Sequence, residues 1–128
     1  MTKENYITAN PNLEIWKNHA NYQIIHHYSE YIKGACGDLG CNHAACTLFL
    51  LEWKERIHEI VGVDYNLHAL DVAFKLALQL DPQIPINFVA ANLVSLPFKS
   101  DKFDFLMSFH TLEHIYPSDV DSFINEVF

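Results

Sequence analysis

Basic residues are scarce in this chain. Its 128 residues include eight lysines and arginines against sixteen aspartates and glutamates, which gives a formal net charge of −8 at pH 7. Proteins bind nucleic acids through clusters of lysine and arginine that neutralise phosphates, and the sequence contains no such cluster. We therefore expect no nucleic-acid partner.

Long apolar runs and paired cysteines are also missing. The run at residues 48–51 is soon broken by charge, whereas a membrane-spanning helix needs about 20 apolar residues. The start, MTKEN, lacks the features of a signal peptide. Cys36, Cys41 and Cys46 are odd in number and spaced by five, unlike a disulfide framework or the close pairs of a zinc site. We expect a cytoplasmic protein with reduced thiols, no metal and no membrane partner.

What the chain does have is enough apolar surface for one core. Half of its residues are hydrophobic and 13% are aromatic, which predicts a folded domain, and its length allows one core but no separate substrate domain. We predict a single domain over residues 1–128, with leading helices in 1–32 and an α/β core in 33–128.

Hydrophobic periodicity predicts strands that alternate with helices. The predicted strands are residues 34–40, 60–63 closed by Asp64, 86–91 and 103–109. The predicted helices are one or two within residues 12–32, then 44–56, 67–80 and the residues after Pro117. This alternation predicts a parallel sheet covered by helices on both faces. The strands are nearly continuous apolar runs, as expected of doubly covered strands, and the Phe and Leu stripes of 44–56 and 67–80 are predicted core.

The ends of the predicted strands are the expected binding region, because ligands of such sheets lie beyond the carboxyl ends of the strands. A ligand that approaches the first turn closely requires small residues and positive φ angles. Gly40 and Asn42 suit such angles, and Ala44 allows close packing of the following helix. Asp64, about 25 residues later, offers a carboxylate that can accept both hydroxyls of a ribose.

The segments GDLGCNHAACTLFL, VGVDYN, NFVAANLVSLPF and FDFLMSFHTLEHI follow one another in residues 33–128. In this order they resemble the motifs of class I S-adenosylmethionine-dependent methyltransferases, especially those that act on small molecules. The resemblance implies a Rossmann-like three-layer α/β sandwich with parallel strands in the order 3-2-1-4, part of a seven-stranded sheet. It also implies S-adenosyl-L-methionine as cofactor and a small-molecule acceptor.

The resemblance further implies a set of cofactor-binding residues. The loop from Asp38 to Asn42 would hold the methionine portion, Asp64 the ribose, and Tyr65 would lie against the adenine. The Asn92 side chain and the Leu93 backbone N–H would bind the adenine edge. The full set is Asp38, Gly40, Cys41, Asn42, Asp64, Tyr65, Asn92, Leu93 and Phe109. The family usually has glycines at positions 42 and 44 and an aspartate at position 92.

Residues 110–114 (HTLEH) match the H-x-x-E-H pattern of some zinc peptidases. That pattern needs a helix through both histidines and a distant third ligand, whereas His110 ends a predicted strand. In the methyltransferase interpretation, His110, Glu113 or His114 could orient or deprotonate the acceptor, since a neutral imidazole is a suitable base near pH 7. Alternatively, Glu113 and His114 only shape the mouth of the pocket.

Four predicted strands are fewer than the seven that the resemblance implies. The fourth strand would then have an open apolar edge, and unpaired edges invite association. We therefore expect a fragment of a longer enzyme, a homodimer, or a partner chain that covers this edge.

Two other functions stay open on the sequence. One is a catalytically inactive cofactor-binding or interaction module, consistent with Asn42 and Asn92. The other is an NAD-dependent oxidoreductase on a similar sheet, which is disfavoured because Gly40, Asn42 and Ala44 do not reproduce the G-x-G-x-x-G spacing that holds a pyrophosphate.

Overall fold

The computed structural model describes residues 17–80, 82–109 and 115–127. The predicted catalytic candidates His110, Glu113 and His114 lie outside these ranges, as do residues 12–16 of the predicted leading segment. The α-helices and strands within them are α1 (Ala20–His27), β1 (Gly34–Leu39), β2 (Ile57–Asp64), α2 (Leu67–Leu80), β3 (Ile86–Ala90), β4 (Phe105–Met107) and α3 (Val120–Val127). Short 3₁₀ helices cover Ser29–Tyr31, Thr47–Arg56 and Pro117–Asp119.

The four strands form one parallel sheet in the order β3-β2-β1-β4. Leu39 of β1 pairs with Val63 of β2, and Asp64 at the end of β2 pairs with Ala90 of β3. The predicted strand order 3-2-1-4 is therefore confirmed, and the reversal of order falls between β1 and β4, as expected for a ligand-binding crevice.

Side chains that alternate along β2 enter two separate cores. Ile60 packs with residues of α1, α2 and the 3₁₀ helix Thr47–Arg56, whereas its neighbour Val61 packs with Phe123 of α3. Because successive side chains of a strand point to opposite faces, the two cores lie on the two faces of the sheet. This arrangement is the predicted three-layer sandwich.

The outer strands are less buried than predicted. β1 and β2 are almost wholly buried, but β3 is only half-buried and β4 has one buried residue, Met107. Each outer strand pairs with a single neighbour among the described strands, so fewer residues cover it. The predicted double coverage is therefore nearly complete for β1 and β2 but only partial for β3 and β4.

β4 is also shorter than the predicted strand 103–109, and side chains form hydrogen bonds between β1 and the residues on either side of it. The Asp104 carboxylate accepts a hydrogen bond from Ala35 N at 2.9 Å. At the other end the Ser108 hydroxyl donates to Leu39 O at 2.8 Å. These bonds fasten β4 to β1 on either side of a three-residue ladder.

The predicted helix 44–56 is a 3₁₀ helix that begins only at Thr47 and is kinked at Trp53. The late start follows from the preceding loop, where Asn42 and Ala44 have φ angles of 50° and 73°. Left-handed residues cannot be part of a right-handed helix, so the helix begins after them.

The predicted core stripe of residues 67–80 is only partly correct. Leu70, Ala73 and Leu76 of α2 are buried, but Phe74 and Leu78 are exposed. The helix contacts β2 and β3 of the sheet, and its apolar residues extend beyond the buried side. The exposed pair therefore contributes little to the core.

The leading segment is buried on one side only. Tyr22 and Ile25 of α1 are buried, whereas Ile24, Tyr28 and Tyr31 are exposed. The exposed residues line an open apolar groove of about 450 Å³ beside β4. Among the described strands β4 pairs only with β1, and association through its other edge stays a prediction.

No helix in the described ranges is long and apolar enough to cross a membrane.

Two leucines of α2 provide a direct test of this packing. Leu76 is 3% exposed and Leu78 is 64% exposed. Leu76→Ala should lower the free energy of unfolding by about 2–5 kcal/mol, because it leaves a cavity between α2 and the sheet. Leu78→Ala, the matched control on the same helix, should change it by less than about 0.5 kcal/mol. Urea unfolding followed by circular dichroism measures both values, and equal losses would contradict the observed helix orientation.

Candidate functional site

The four strand ends meet at one edge of the sheet. After β1, Gly40 N donates to Val63 O at 2.7 Å. After β3, Ala91 N donates to Asp64 O at 3.1 Å, and after β4 the Ser108 hydroxyl reaches the end of β1. The segments that begin at Gly40, Asp64, Ala91 and Ser108 therefore border one crevice, as the sequence predicted.

The first loop has the predicted backbone conformation. Gly40 and Asn42 have φ angles of 76° and 50°, which confirms the expectation of a left-handed turn. Ala44 is also left-handed, with φ of 73°, and it is fully buried. The left-handed region costs a residue with a Cβ about 1–2 kcal/mol, so the surrounding contacts must offset strain at Ala44.

Asp64 fastens this loop to the end of β2. Its carboxylate accepts hydrogen bonds from Asn42 N at 2.9 Å and from Asn66 N at 3.0 Å, one on each oxygen. A carboxylate has about four acceptor positions, so these bonds leave capacity for a ligand. The residue is 9% exposed, which places a nearly desolvated negative charge at the crevice.

Asp38 has a structural position that the sequence did not indicate. It lies inside β1, is 2% exposed, and accepts a hydrogen bond from the Thr47 hydroxyl at 2.7 Å. The pKa of its carboxyl is raised to about 7, because burial and, to a smaller extent, the charge of Asp64 raise it more than the bond from Thr47 lowers it. The Asp38 side chain thus joins β1 to the start of the following 3₁₀ helix.

Cys41 is buried behind the loop. Burial raises the pKa of its thiol, and the charges of Asp38 and Asp64 raise it further, so the thiol stays protonated. A Cβ on Gly62 would lie 3.0 Å from Cys41 Sγ, which shows how tightly this sulfur fills the space against β2. Any contribution of Cys41 to ligand binding therefore falls to its backbone.

The remaining predicted residues, Tyr65, Asn92, Leu93 and Phe109, follow the ends of β2, β3 and β4. Tyr65 is 80% exposed, so its ring is available to a ligand. The Asn92 side-chain oxygen accepts from Val94 N at 3.1 Å, which leaves the amide NH₂ group for a ligand. Leu93 and Phe109 are half-buried and pack against the two cores, Leu93 on one face and Phe109 on the other.

The three predicted catalytic residues, His110, Glu113 and His114, fall outside the described ranges, so their predicted role stays a prediction. Within the described ranges no group of three or more His, Cys, Asp or Glu side chains could hold a metal ion.

Two residues of this region were not singled out from the sequence. Thr47 binds the buried Asp38, but nothing in the local sequence links these positions. His43 lies in the loop between the left-handed Asn42 and Ala44, and its Nδ1 atom is buried without a hydrogen-bond partner among the described residues. A polar residue inside a glycine-like loop was the signal available for His43.

Comparison with known proteins identifies the family of this chain. Residues 37–128 match the methyltransferase domain family. The chain belongs to this family. S-adenosylmethionine is the cofactor of these enzymes, and the match begins within β1 and includes all four strand ends.

A curated relative is the 2-phytyl-1,4-naphtoquinone methyltransferase of Nostoc sp., which is 35% identical over 69 residues. The alignment covers 54% of this chain and 30% of the relative. The chain therefore spans less than half of the length of this relative.

Solved structures share the fold. A S-adenosylmethionine-dependent methyltransferase from Clostridium acetobutylicum superposes with a TM-score of 0.71 at 16% identity, over 93% of this chain and 51% of that one. The YcgJ protein from Bacillus subtilis superposes with a TM-score of 0.73 at 23% identity, over 86% and 45% of the two chains.

The carboxyl groups of the crevice suit the positive charges of S-adenosylmethionine. The ion pairs among the described residues join Lys17 to Glu52, Lys75 to Asp71 and Lys102 to Glu59, and none includes Asp38 or Asp64. Two buried carboxyl groups beside a crevice favour a cationic ligand. The cofactor has a sulfonium and an ammonium group, so the residues present are suited to it.

The buried carboxyl of Asp38 predicts an unusual pH dependence of stability. An aspartate in an unfolded chain titrates near pH 3.9, so the native state, with a pKa of about 7, binds this proton more tightly. The contribution of Asp38 to stability is therefore largest at low pH and is lost as the pH rises from about 4 to about 7.

Asp38→Asn should remove this contribution while its amide oxygen still accepts from Thr47. The free energy of unfolding, measured by urea denaturation from pH 4 to pH 8, should fall less with pH in the variant than in the wild type. Asp71→Asn on the surface of α2 is the matched control and should keep the wild-type slope. Parallel curves for Asp38→Asn and the wild type would refute the assignment.

Proposed function

We propose that this protein is a S-adenosylmethionine-dependent methyltransferase with a small-molecule acceptor, and that the crevice at the strand ends holds the cofactor. The observation that supports this most is the Asp64 carboxylate, which is fixed at the end of β2 by the loop that follows β1. Dinucleotide- and nucleoside-binding sheets use an acidic residue at this position for the ribose hydroxyls.

Each part of the cofactor has a candidate site in the crevice. The loop from Gly40 to Asn42 would hold the methionine portion, Asp64 the ribose and Tyr65 one face of the adenine. The Asn92 amide and the Leu93 backbone N–H would bind the adenine edge, and Phe109, which follows β4, would also contact the cofactor.

The cofactor supplies an activated methyl group on sulfur. The protein's contribution is to hold the methyl carbon in line with a nucleophilic atom of the acceptor and to keep water away from it. His110, Glu113 and His114 follow β4 in the sequence and stay candidates for orienting or deprotonating that acceptor.

The acceptor class is supported by the curated relative, whose name specifies a naphthoquinone substrate. The excess of acidic residues is also unfavourable for a polyanionic acceptor. We therefore propose a small organic acceptor rather than a nucleic acid.

We propose a cytoplasmic location because the three cysteines form no disulfide in the structure, which is typical of a reducing compartment.

An inactive cofactor-binding module is the second candidate. It is favoured by Asn42 and Ala44. Both residues have left-handed backbone conformations, at positions where class I methyltransferases usually have glycine. Methyl transfer to an acceptor distinguishes the two candidates, since an inactive module would bind the cofactor without turnover.

Calorimetric titration of the chain with S-adenosylhomocysteine and, separately, with NAD tests the proposed cofactor. We expect saturable binding of S-adenosylhomocysteine and none of NAD, because the first loop lacks a pyrophosphate-binding glycine pattern. Incubation with labelled S-adenosylmethionine and a panel of quinols, phenols and amines then tests transfer. Binding of NAD alone would contradict the proposal, and binding of S-adenosylhomocysteine without any transfer would favour the inactive module.

The role of Asp64 gives a second test. Asp64→Ala removes the proposed acceptor of both ribose hydroxyls and should weaken S-adenosylhomocysteine binding about 100-fold or more, as expected for two charge-assisted hydrogen bonds. Asp71→Ala, which removes only an exposed pair with Lys75, should leave the affinity unchanged. A thermal melt of each variant verifies the fold. Unchanged affinity in a folded Asp64→Ala protein would exclude the ribose assignment.

A further inference from the structure

His43 is the residue of the crevice loop whose polar side chain lacks an explanation. Its Nδ1 atom is buried and has no hydrogen-bond partner among the described residues. An unpaired buried polar group is destabilising, so native structures rarely leave one unsatisfied. A partner from outside the described protein groups would remove this cost.

The loop backbone holds His43 in a fixed position. On one side of it, Asn42 N donates to the Asp64 carboxylate at 2.9 Å. On the other side, Ala44 N donates to Cys41 O at 2.9 Å, and Leu48 N donates to Ala44 O at 3.1 Å. His43 is therefore a central residue of an anchored turn at the crevice, and a ligand that binds Nδ1 requires local movement around the side chain, since this atom is buried.

The cofactor has an α-carboxylate on its methionine portion, and the described crevice offers it no lysine or arginine. The described basic residues next to the strands precede them: Lys33 precedes β1, Lys54 and Arg56 precede β2, and Lys99 and Lys102 precede β4. In a parallel sheet these residues lie at the edge opposite the crevice. The remaining two, Lys17 and Lys75, form ion pairs with Glu52 and Asp71.

The ammonium and the carboxylate of the cofactor's amino-acid group therefore need different partners in the crevice, because their charges are opposite. The buried carboxyl groups of Asp38 and Asp64 attract the ammonium and repel the carboxylate. The carboxylate needs a hydrogen-bond donor instead, and an imidazole with a proton on Nδ1 is such a donor.

We propose that the Nδ1–H group of His43 donates a hydrogen bond to the α-carboxylate of the cofactor. This inference rests on the proposed function, and it makes His43 a binding residue for the methionine portion. It also explains a polar side chain at a position enclosed by two left-handed residues.

A pair of ligands and a pair of variants test the assignment. S-adenosylhomocysteine has the α-carboxylate, whereas 5′-methylthioadenosine has the same nucleoside without the amino-acid group. His43→Leu removes the donor, and His43→Asn keeps an amide nitrogen at the δ position. Calorimetric titration gives the dissociation constant of each ligand for each protein.

For S-adenosylhomocysteine, we expect His43→Leu to weaken binding about tenfold, the size expected of one charge-assisted hydrogen bond, and His43→Asn to stay within about threefold of the wild type. The affinity for 5′-methylthioadenosine should be the same in all three proteins. An equal loss for both ligands would show that His43 only shapes the loop, and no loss for either would also overturn the assignment. If the wild type binds neither ligand, the proposed function itself fails.

The wild-type protein offers an independent measurement in case the leucine variant does not fold. Nitrogen-15 spectra of the histidine side chains should show the Nδ1 signal of His43 shift on addition of S-adenosylhomocysteine and stay in place with 5′-methylthioadenosine. The His43→Asn spectrum assigns the signal. An Nδ1 signal that ignores both ligands, while calorimetry shows binding, would refute the proposal.

Discussion

The pair of hydrogen bonds from Asn42 N and Asn66 N to the Asp64 carboxylate is the interaction on which the crevice depends. It joins the loop after β1 to the end of β2, across the two central strands. Without it the left-handed residues of the loop would lose a tertiary contact that compensates their backbone strain. The same carboxylate is the group proposed to bind ribose, so structure and binding share one side chain.

The distribution of charge across the sheet gives the crevice its chemical character. Asp38 and Asp64 are buried at the carboxyl ends of the strands, whereas the basic residues Lys33, Arg56 and Lys102 precede the strands. A parallel sheet converts this order along the chain into a spatial separation, because equivalent strand ends lie together. The result is an acidic crevice suited to a sulfonium cofactor.

The loop after β1 shows how side chains can replace glycine at some cost. Asn42 is exposed, and asparagine tolerates the left-handed region. Ala44 is fully buried, so neighbouring groups fix its backbone, and the helix that follows starts three residues later as a 3₁₀ helix. Thr47, the first residue of that helix, contributes by binding Asp38. The strained residue Ala44 and Thr47, which binds the buried carboxyl of Asp38, therefore lie in the same short segment of the chain.

The sequence by itself determined the four strands and the convergence of Gly40, Asp64 and Asn92, because periodicity and strand-end residues are local patterns. The order of the strands was what the resemblance to class I methyltransferases implied. Only the tertiary structure decided which side of α2 is buried, how side chains fasten β4 to β1, and that Asp38 binds Thr47. These features depend on contacts between residues far apart in the chain, such as Ala35 with Asp104. Local patterns do not encode such contacts, because they do not specify which distant element will pack against a given side chain.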